Sequence, residues 1–194
     1  MKFCSQCAHS LVFEIPVGDN LPRYICPDCH AIFYQNPKII VCAIPVWRRN
    51  REMAVLLCKR AIEPRSGLWT LPGGFMENGE TTSEAAWRET QEEAGANVFV
   101  GELFSLMNLP TVRQVHLFYL AELQDLAFYP GPETEEVRLF TEKEVPWKEM
   151  AFTSTTQALK LFFRNQRKRR GANAVYPVDL PHLIYPNEAR NDPV

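Results

Sequence analysis

The stretch GFMENGETTSEAAWRETQEEAG, residues 74–95, joins a glycine-rich loop to a helix that starts and stops inside the same run. Thr81 with Glu84 three residues on forms a capping box, which satisfies backbone N–H groups at a helix start, and Gly95 closes the far end. On such a helix Glu89, Glu92 and Glu93 fall within a sector about 100° wide, because residues three and four apart share a face. Clustered surface glutamates usually serve only solubility, but that reading leaves the preceding Gly73 and Gly74 without a purpose. Glycines there allow a backbone carbonyl to come close to the helix face. Carboxylates this near one another repel unless a cation sits among them, and hard oxygen donors select Mg²⁺ or Mn²⁺.

Around this segment the chain reads as an α+β domain. The runs KIIVCAIPVW (38–47) and MAVLLCKR (53–60) suggest a β-hairpin across the charged turn RRNRE. NVFVGELFSL (97–106), VRQVHLFYLAEL (112–123) and EVRLF (136–140) read as further strands. A second helix is expected from about Thr155 to Arg167, with Leu159, Phe162 and Phe163 at core spacing. The basic run at 164–170 is best read as a solvated helix end favoured by the helix dipole. Beyond it, the tail carries Val175, Tyr176, Leu183, Ile184 and Tyr185, an apolar set that suggests packing onto something.

The first 36 residues have a different character. Four of the six cysteines form two Cys-x-x-Cys pairs, Cys4 with Cys7 and Cys26 with Cys29, around the turn-rich stretch PVGDNLP. Four thiolates suit tetrahedral zinc, and a module this short needs a metal to hold it together. Redox pairing or disulfides are the alternatives, and both fit an intracellular chain less well. Cys42 and Cys58 lie in apolar runs and are expected to be core residues. The expected organisation is therefore a zinc ribbon at 1–36, a main domain at 37–165 and an extended tail at 166–194.

Composition excludes several classes. A net charge of −2 gives no general attraction to nucleic acid or anionic membrane. The longest apolar run, 39–47, is about half of what a membrane span requires. The opening residues lack a secretory layout, so a cytoplasmic protein is expected, with neither membrane nor nucleic acid as partner.

The stretch also resembles the Nudix box: glycine, five residues, glutamate, seven residues, then Arg-Glu-apolar-x-Glu-Glu-x-Gly. Gly74, Glu80, Arg88, Glu89, Glu92, Glu93 and Gly95 supply it without insertion, and only Thr90 stands where the family prefers an aliphatic residue. Seven fixed matches by chance have odds on the order of 10⁻⁶. The resemblance implies a three-layer α/β/α sandwich around a mixed sheet, with the box helix carrying the metals. It implies that Glu89 and Glu93 bind the essential cations, that Glu92 shares them, and that the Gly74 carbonyl is a further ligand. It casts Arg88 as orienting a glutamate and Glu80 as holding the loop to the helix. A later glutamate, Glu133 in preference to Glu136, would be a further ligand or base.

The resemblance extends beyond the box. The cysteine ribbon, YQNPKIIV, LLCKRAIEPRSGLWTLPGGFMENGE, FYPGPETEEVRLF and MAFTST are similar to zinc-ribbon Nudix enzymes that cleave FAD (to FMN and AMP) or ADP-ribose. The rival class, the NADH pyrophosphatases, carries Ser-Gln-Pro-Trp-Pro-Phe-Pro where this chain has SLMNLPTVRQ. A nucleotide-sensing regulator without catalysis, binding nucleic acid through ribbon and basic tail, is a further alternative. The full set of ligand glutamates argues against it. The resemblance also implies a homodimer. Phe104, Tyr119 and Phe128 are available to a substrate base but are read as core, as is Trp69.

Overall fold

The computed structural model describes residues 1–49, 52–168 and 176–179. The chain divides into two compact units, Met1–Pro37 and Lys38–Val194.

In the first unit β1 (Val12–Glu14), β2 (Arg23–Ile25) and β3 (Ile32–Phe33) form an antiparallel sheet in that order. The two cysteine turns repeat one geometry. Ala8 N–H donates to the Cys4 carbonyl and His30 N–H to that of Cys26, both at 2.9 Å. Ala8 and His30 each sit in the left-handed region, at φ 61° and 59°. The four sulfurs converge to within 4.8 Å of one another, with Cys4 and Cys29 at 3.6 Å and Cys7 and Cys26 at 3.4 Å. A tetrahedral zinc with sulfur arms of ~2.3 Å gives edges of about 3.8 Å, so the donor set fits that ion. Metal analysis of the purified chain should return about one zinc, and chelation should abolish amide protection in residues 1–37. Protein with no zinc and an intact ribbon would refute the assignment.

The second unit is built on a mixed sheet. The expected hairpin is present: β4 (Lys38–Arg49) and β5 (Glu52–Arg60) pair antiparallel, with Val46 opposite Val55. β5 then diverges from β4, and two short strands fill in: β6 (Trp69–Thr70) on β5 and β7 (Gly73–Phe75) on β4. Helix α1 (Thr82–Ala94) follows, then β8 (Val98–Leu109), β9 (Gln114–Leu123), β10 (Thr134–Thr141) and α2 (Thr153–Lys168). The strand order is β10-β5-β4-β9-β8-β11, with β11 (Tyr176–Asp179) parallel to β8 and β4 parallel to β9. Apart from this strand, the tail beyond Lys168 and its apolar set lie outside the described residues.

Alternation along β4 assigns the two faces. Val41 packs with Ala85 and Ala86 of α1, while Cys42 and Ile44 join Leu159 and Phe162 of α2. The small alanines let α1 lie close on the sheet, whereas α2 brings aromatic bulk. Phe104 and Trp69 are buried in the α2-side core, the first against Phe162 and the second edge-on to Phe140 at 4.8 Å. Phe128 packs on the α1 side, and the Tyr119 hydroxyl hydrogen-bonds Thr82 Oγ1 at 2.5 Å. Cys42 and Cys58 are core residues, their thiols pushed up by burial. Thr90 tolerates its buried position because its hydroxyl donates to the Ala86 carbonyl at 2.7 Å. No described helix is long and apolar enough to cross a membrane.

His116 on β9 is also buried, and burial pulls it from its usual 6.5 down to about 4. A histidine held neutral in the fold contributes stability above its unfolded value and loses it as pH falls through 6.5 to 4. The loss should be about 3 kcal/mol. Denaturant melts of wild type and His116→Phe between pH 7 and 4 should diverge by that amount; parallel curves would contradict it.

Candidate active site

The box loop reaches α1 through β7. Thr81 caps the helix by both arms: its hydroxyl accepts from Glu84 N–H, and Thr81 N–H donates to the Glu84 carboxylate. Glu80 then takes the Glu77 N–H at 2.7 Å and both Nε and Nη2 of Arg88 at 2.9 Å. The Arg88 side chain hydrogen bonds draw Glu80 down to about 2, so it is fully ionised near neutrality. Arg88 also donates to Glu89 at 2.8 Å, to Glu92 at 3.1 Å and to the Phe75 carbonyl at 3.1 Å. One guanidinium thus fastens the loop to the helix and turns two carboxylates toward the same side.

Glu89 is buried, and burial raises it despite Arg88 beside it. Desolvation outweighs the ion pair here, as expected where a carboxylate loses more water than one partner replaces. Glu93 is pushed further, to about 8, mainly by burial. The Gly73 N–H at 3.1 Å from its Oε2 pulls the other way, as does Arg60, while Glu89 and Glu133 add repulsion. Two neighbouring carboxylates whose charge burial disfavours form a site whose charge a divalent cation would balance.

Close approach explains the glycine. A Cβ at Gly74 would lie 2.6–2.7 Å from the Glu89 carboxylate. Across the helix, the loop before β10 docks on the end of α1. Tyr129 N–H donates to the Ala94 carbonyl at 2.8 Å and Gly131 N–H to that of Glu93 at 3.0 Å. These bonds satisfy carbonyls that a helix end leaves open. A Cβ on Gly131 would meet the Glu92 carbonyl oxygen at 1.7 Å, so only glycine fits. Ala61 N–H in turn holds the Glu133 carbonyl at 2.8 Å, and Glu133 is close enough to Glu93 to repel it.

Arg88 thus joins Glu80, Glu89 and Glu92, while Glu93, held by Gly73 N–H, lies close enough to Glu89 and Glu133 to be repelled; among the described residues, only the four ribbon cysteines already sit at metal-binding distance of one another. Glu136 does not join these glutamates. Its neighbour Val137 packs on the α1 side, while Glu136 pairs with Arg138 at 3.8 Å, whose guanidinium lies over Phe140 of the α2-side core. Alternation along β10 puts Glu136 on the face opposite that of Val137 and Leu139. Sequence reasoning missed Gly131 and Arg60. Gly131 is one glycine in a variable loop, and Arg60 ends a strand with no local pattern marking it.

Residues 37–162 match the NUDIX domain and residues 2–35 the ribbon described as Nudix N-terminal. A NUDIX hydrolase structure from Nitrosomonas europaea superposes with TM-score 0.85 at 49% identity, covering 93% of this chain and all of that one. The NAD-capped RNA hydrolase NudC of Chromobacterium violaceum is 37% identical over 97 residues, half of this chain and 33% of the relative. An RNA pyrophosphohydrolase of Erythrobacter litoralis is 29% identical over 141 residues, 71% of this chain and 76% of the relative. The chain spans only about a third of the NudC relative's length. With the box helix, its glycine turn and the matching domain all in one place, the chain belongs to the Nudix family and carries the zinc-ribbon unit at its N-terminal side.

Proposed function

We propose that the protein is a metal-dependent pyrophosphatase that splits the diphosphate linkage of FAD or ADP-ribose and releases AMP. The observation that carries this reading is the pair Glu89 and Glu93, both raised by burial, fixed by Arg88 and Gly73 N–H, and facing one cluster. In this reading Glu89, Glu92 and Glu93 hold Mg²⁺ or Mn²⁺, with the Gly74 carbonyl and Glu133 as further donors. When bound, such cations neutralise diphosphate oxygens and ease deprotonation of the attacking water. The chain's own part is positional. Arg88 keeps Glu89 and Glu92 in place and Gly73 N–H orients Glu93, which would lose its proton on becoming a ligand. Hydrolysis of a phosphoanhydride needs little beyond such placement and charge stabilisation.

Incubation of the purified protein and Mg²⁺ with FAD, ADP-ribose, NADH and sugar nucleotides tests this. AMP release from FAD or ADP-ribose is expected. Tight nucleotide binding without turnover under any divalent ion would instead favour the sensor. A second reading, cleavage of NAD(H) or an NAD cap, is supported by the similarity to the NAD-capped RNA hydrolase of C. violaceum. It is opposed by Ser105–Gln114, which lacks the aromatic motif of that class. A homodimer and a cytoplasmic site of action belong to the same proposal, and sedimentation of the full chain tests the first.

A further inference from the structure

A row of side chains crosses the sheet from the end of β7. Ile40 lies opposite Phe75 on one side and His116 on the other, and His116 lies opposite Met107. Directly opposed residues share a face, so Phe75, Ile40, His116 and Met107 form one line across β7, β4, β9 and β8. The face is that of α2, because Ile40 and Met107 pack into its cluster and the His116 ring lies 6.3 Å from that of Phe118. One row outward, Lys38 faces Gln114, and the Lys38 ammonium lies over the Phe75 ring at 5.1 Å. One row inward, Phe118 faces Ser105. Exposure falls steadily along this path, from 51% at Phe75 to 7% at His116 and 0% at Ser105.

The polar atoms on this path are unevenly satisfied. His116 Nε2 meets Gln114 Oε1 at 2.9 Å. An amide oxygen can only accept, so the ring proton sits on Nε2 and Nδ1 is left as an acceptor. Neither Nδ1 nor the Ser105 hydroxyl, at diagonal positions on adjacent strands, has a hydrogen-bond partner among the described residues. Two buried polar atoms without partners, on diagonal positions of neighbouring strands, are costly and unusual in a native core. Nothing in the carboxylate cluster uses them. Yet Phe75 directly follows Gly74, so the row begins one residue from that cluster.

We propose that this row is the base subsite, in which His116 and Ser105 read the polar edge of a planar heteroaromatic base that enters beside Phe75 and Lys38. The inference rests on the diphosphate-cleaving reading above. His116 Nδ1 accepts and the Ser105 hydroxyl both accepts and donates. The complementary ligand edge carries an N–H donor next to an acceptor. Adenine and the flavin ring both offer such an edge, and the experiment separates them.

The test measures kcat and KM for wild type, His116→Phe and Ser105→Ala on ADP-ribose, its inosine counterpart and FAD, with melting temperatures alongside. The inosine compound exchanges donor and acceptor on the six-membered ring. The expected result is a rise in KM of about tenfold or more in both variants, with kcat little changed. Occupancy by adenine shows as loss of discrimination between ADP-ribose and the inosine compound. Occupancy by flavin shows as loss on FAD alone. Wild-type constants in both variants on all three substrates would overturn the subsite and leave the pyrophosphatase reading intact. So would equal losses on all three that track a lowered melting temperature. If His116→Phe fails to fold, Ser105→Ala decides alone. Wild type without turnover on any of the three would instead overturn the pyrophosphatase reading.

Discussion

Glu93→Gln should lose at least about 10³-fold in turnover while melting higher, not lower, than wild type in metal-free buffer. The sign follows from the position of the carboxyl. Its pKa rises from 4.5 to about 8 in the fold, chiefly through burial. A group raised in this way contributes stability that is fully present below 4.5 and lost as pH rises through about 8. At pH 7 the acid therefore destabilises the metal-free fold, by roughly 3 kcal/mol. Glutamine keeps an oxygen for the Gly73 N–H and removes the charge, so that penalty disappears. The same shift ties cation binding to proton release. Below about pH 8, Mg²⁺ affinity should fall by up to tenfold per pH unit. Titrations in two buffers of different ionisation enthalpy would count the proton. A Glu93→Gln protein that melts lower, or Mg²⁺ affinity flat from pH 6 to 8, would contradict the placement of this carboxyl.

Gly131→Ala is the second large effect, and it contrasts with Gly74→Ala. The new methyl at 131 would lie 1.7 Å from the Glu92 carbonyl oxygen, a backbone atom that cannot swing aside. The loop must leave the end of α1, giving up the Gly131 and Tyr129 hydrogen bonds and moving Glu133 away from Glu93. A destabilisation of about 2–3 kcal/mol is expected, together with reduced activity. At Gly74 the clash is with the Glu89 carboxylate, the far end of a side chain that can rotate. Gly74→Ala should therefore melt close to wild type but lose about 10²-fold in kcat, because a ligand is displaced. Thermal melts and initial rates on both variants check this. A Gly131→Ala protein as stable as Gly74→Ala would show that the loop does not dock as described.

Much of this architecture was legible because its signals are local. The Thr81 capping box, the hairpin turn after Trp47 and the cysteine spacing each occupy a few consecutive residues. Geometry then follows from helix or strand period. The α1 carboxylates were readable for the same reason. What escaped depends on contacts distant in sequence. β6 and β7 are two and three residues long and contain Trp, Thr and glycines, too short for any period to show. They form only because β5 leaves β4 and exposes its edge. Only the resemblance favours Glu133 over Glu136, since strand period alone does not show the shift in register between Thr134 and Glu136. His116 read as one more strand residue, and only the register with β4 and β8 places it in a row with Phe75.

In the proposed reaction the acidic face of α1 holds divalent cations beside the diphosphate. The most direct measurement is anomalous scattering from crystals of the full chain grown with Mn²⁺ and ADP-ribose. Density peaks within coordination distance of Glu89 and Glu93 are expected. Bound nucleotide with both carboxylates turned to solvent and no peak between them would contradict it.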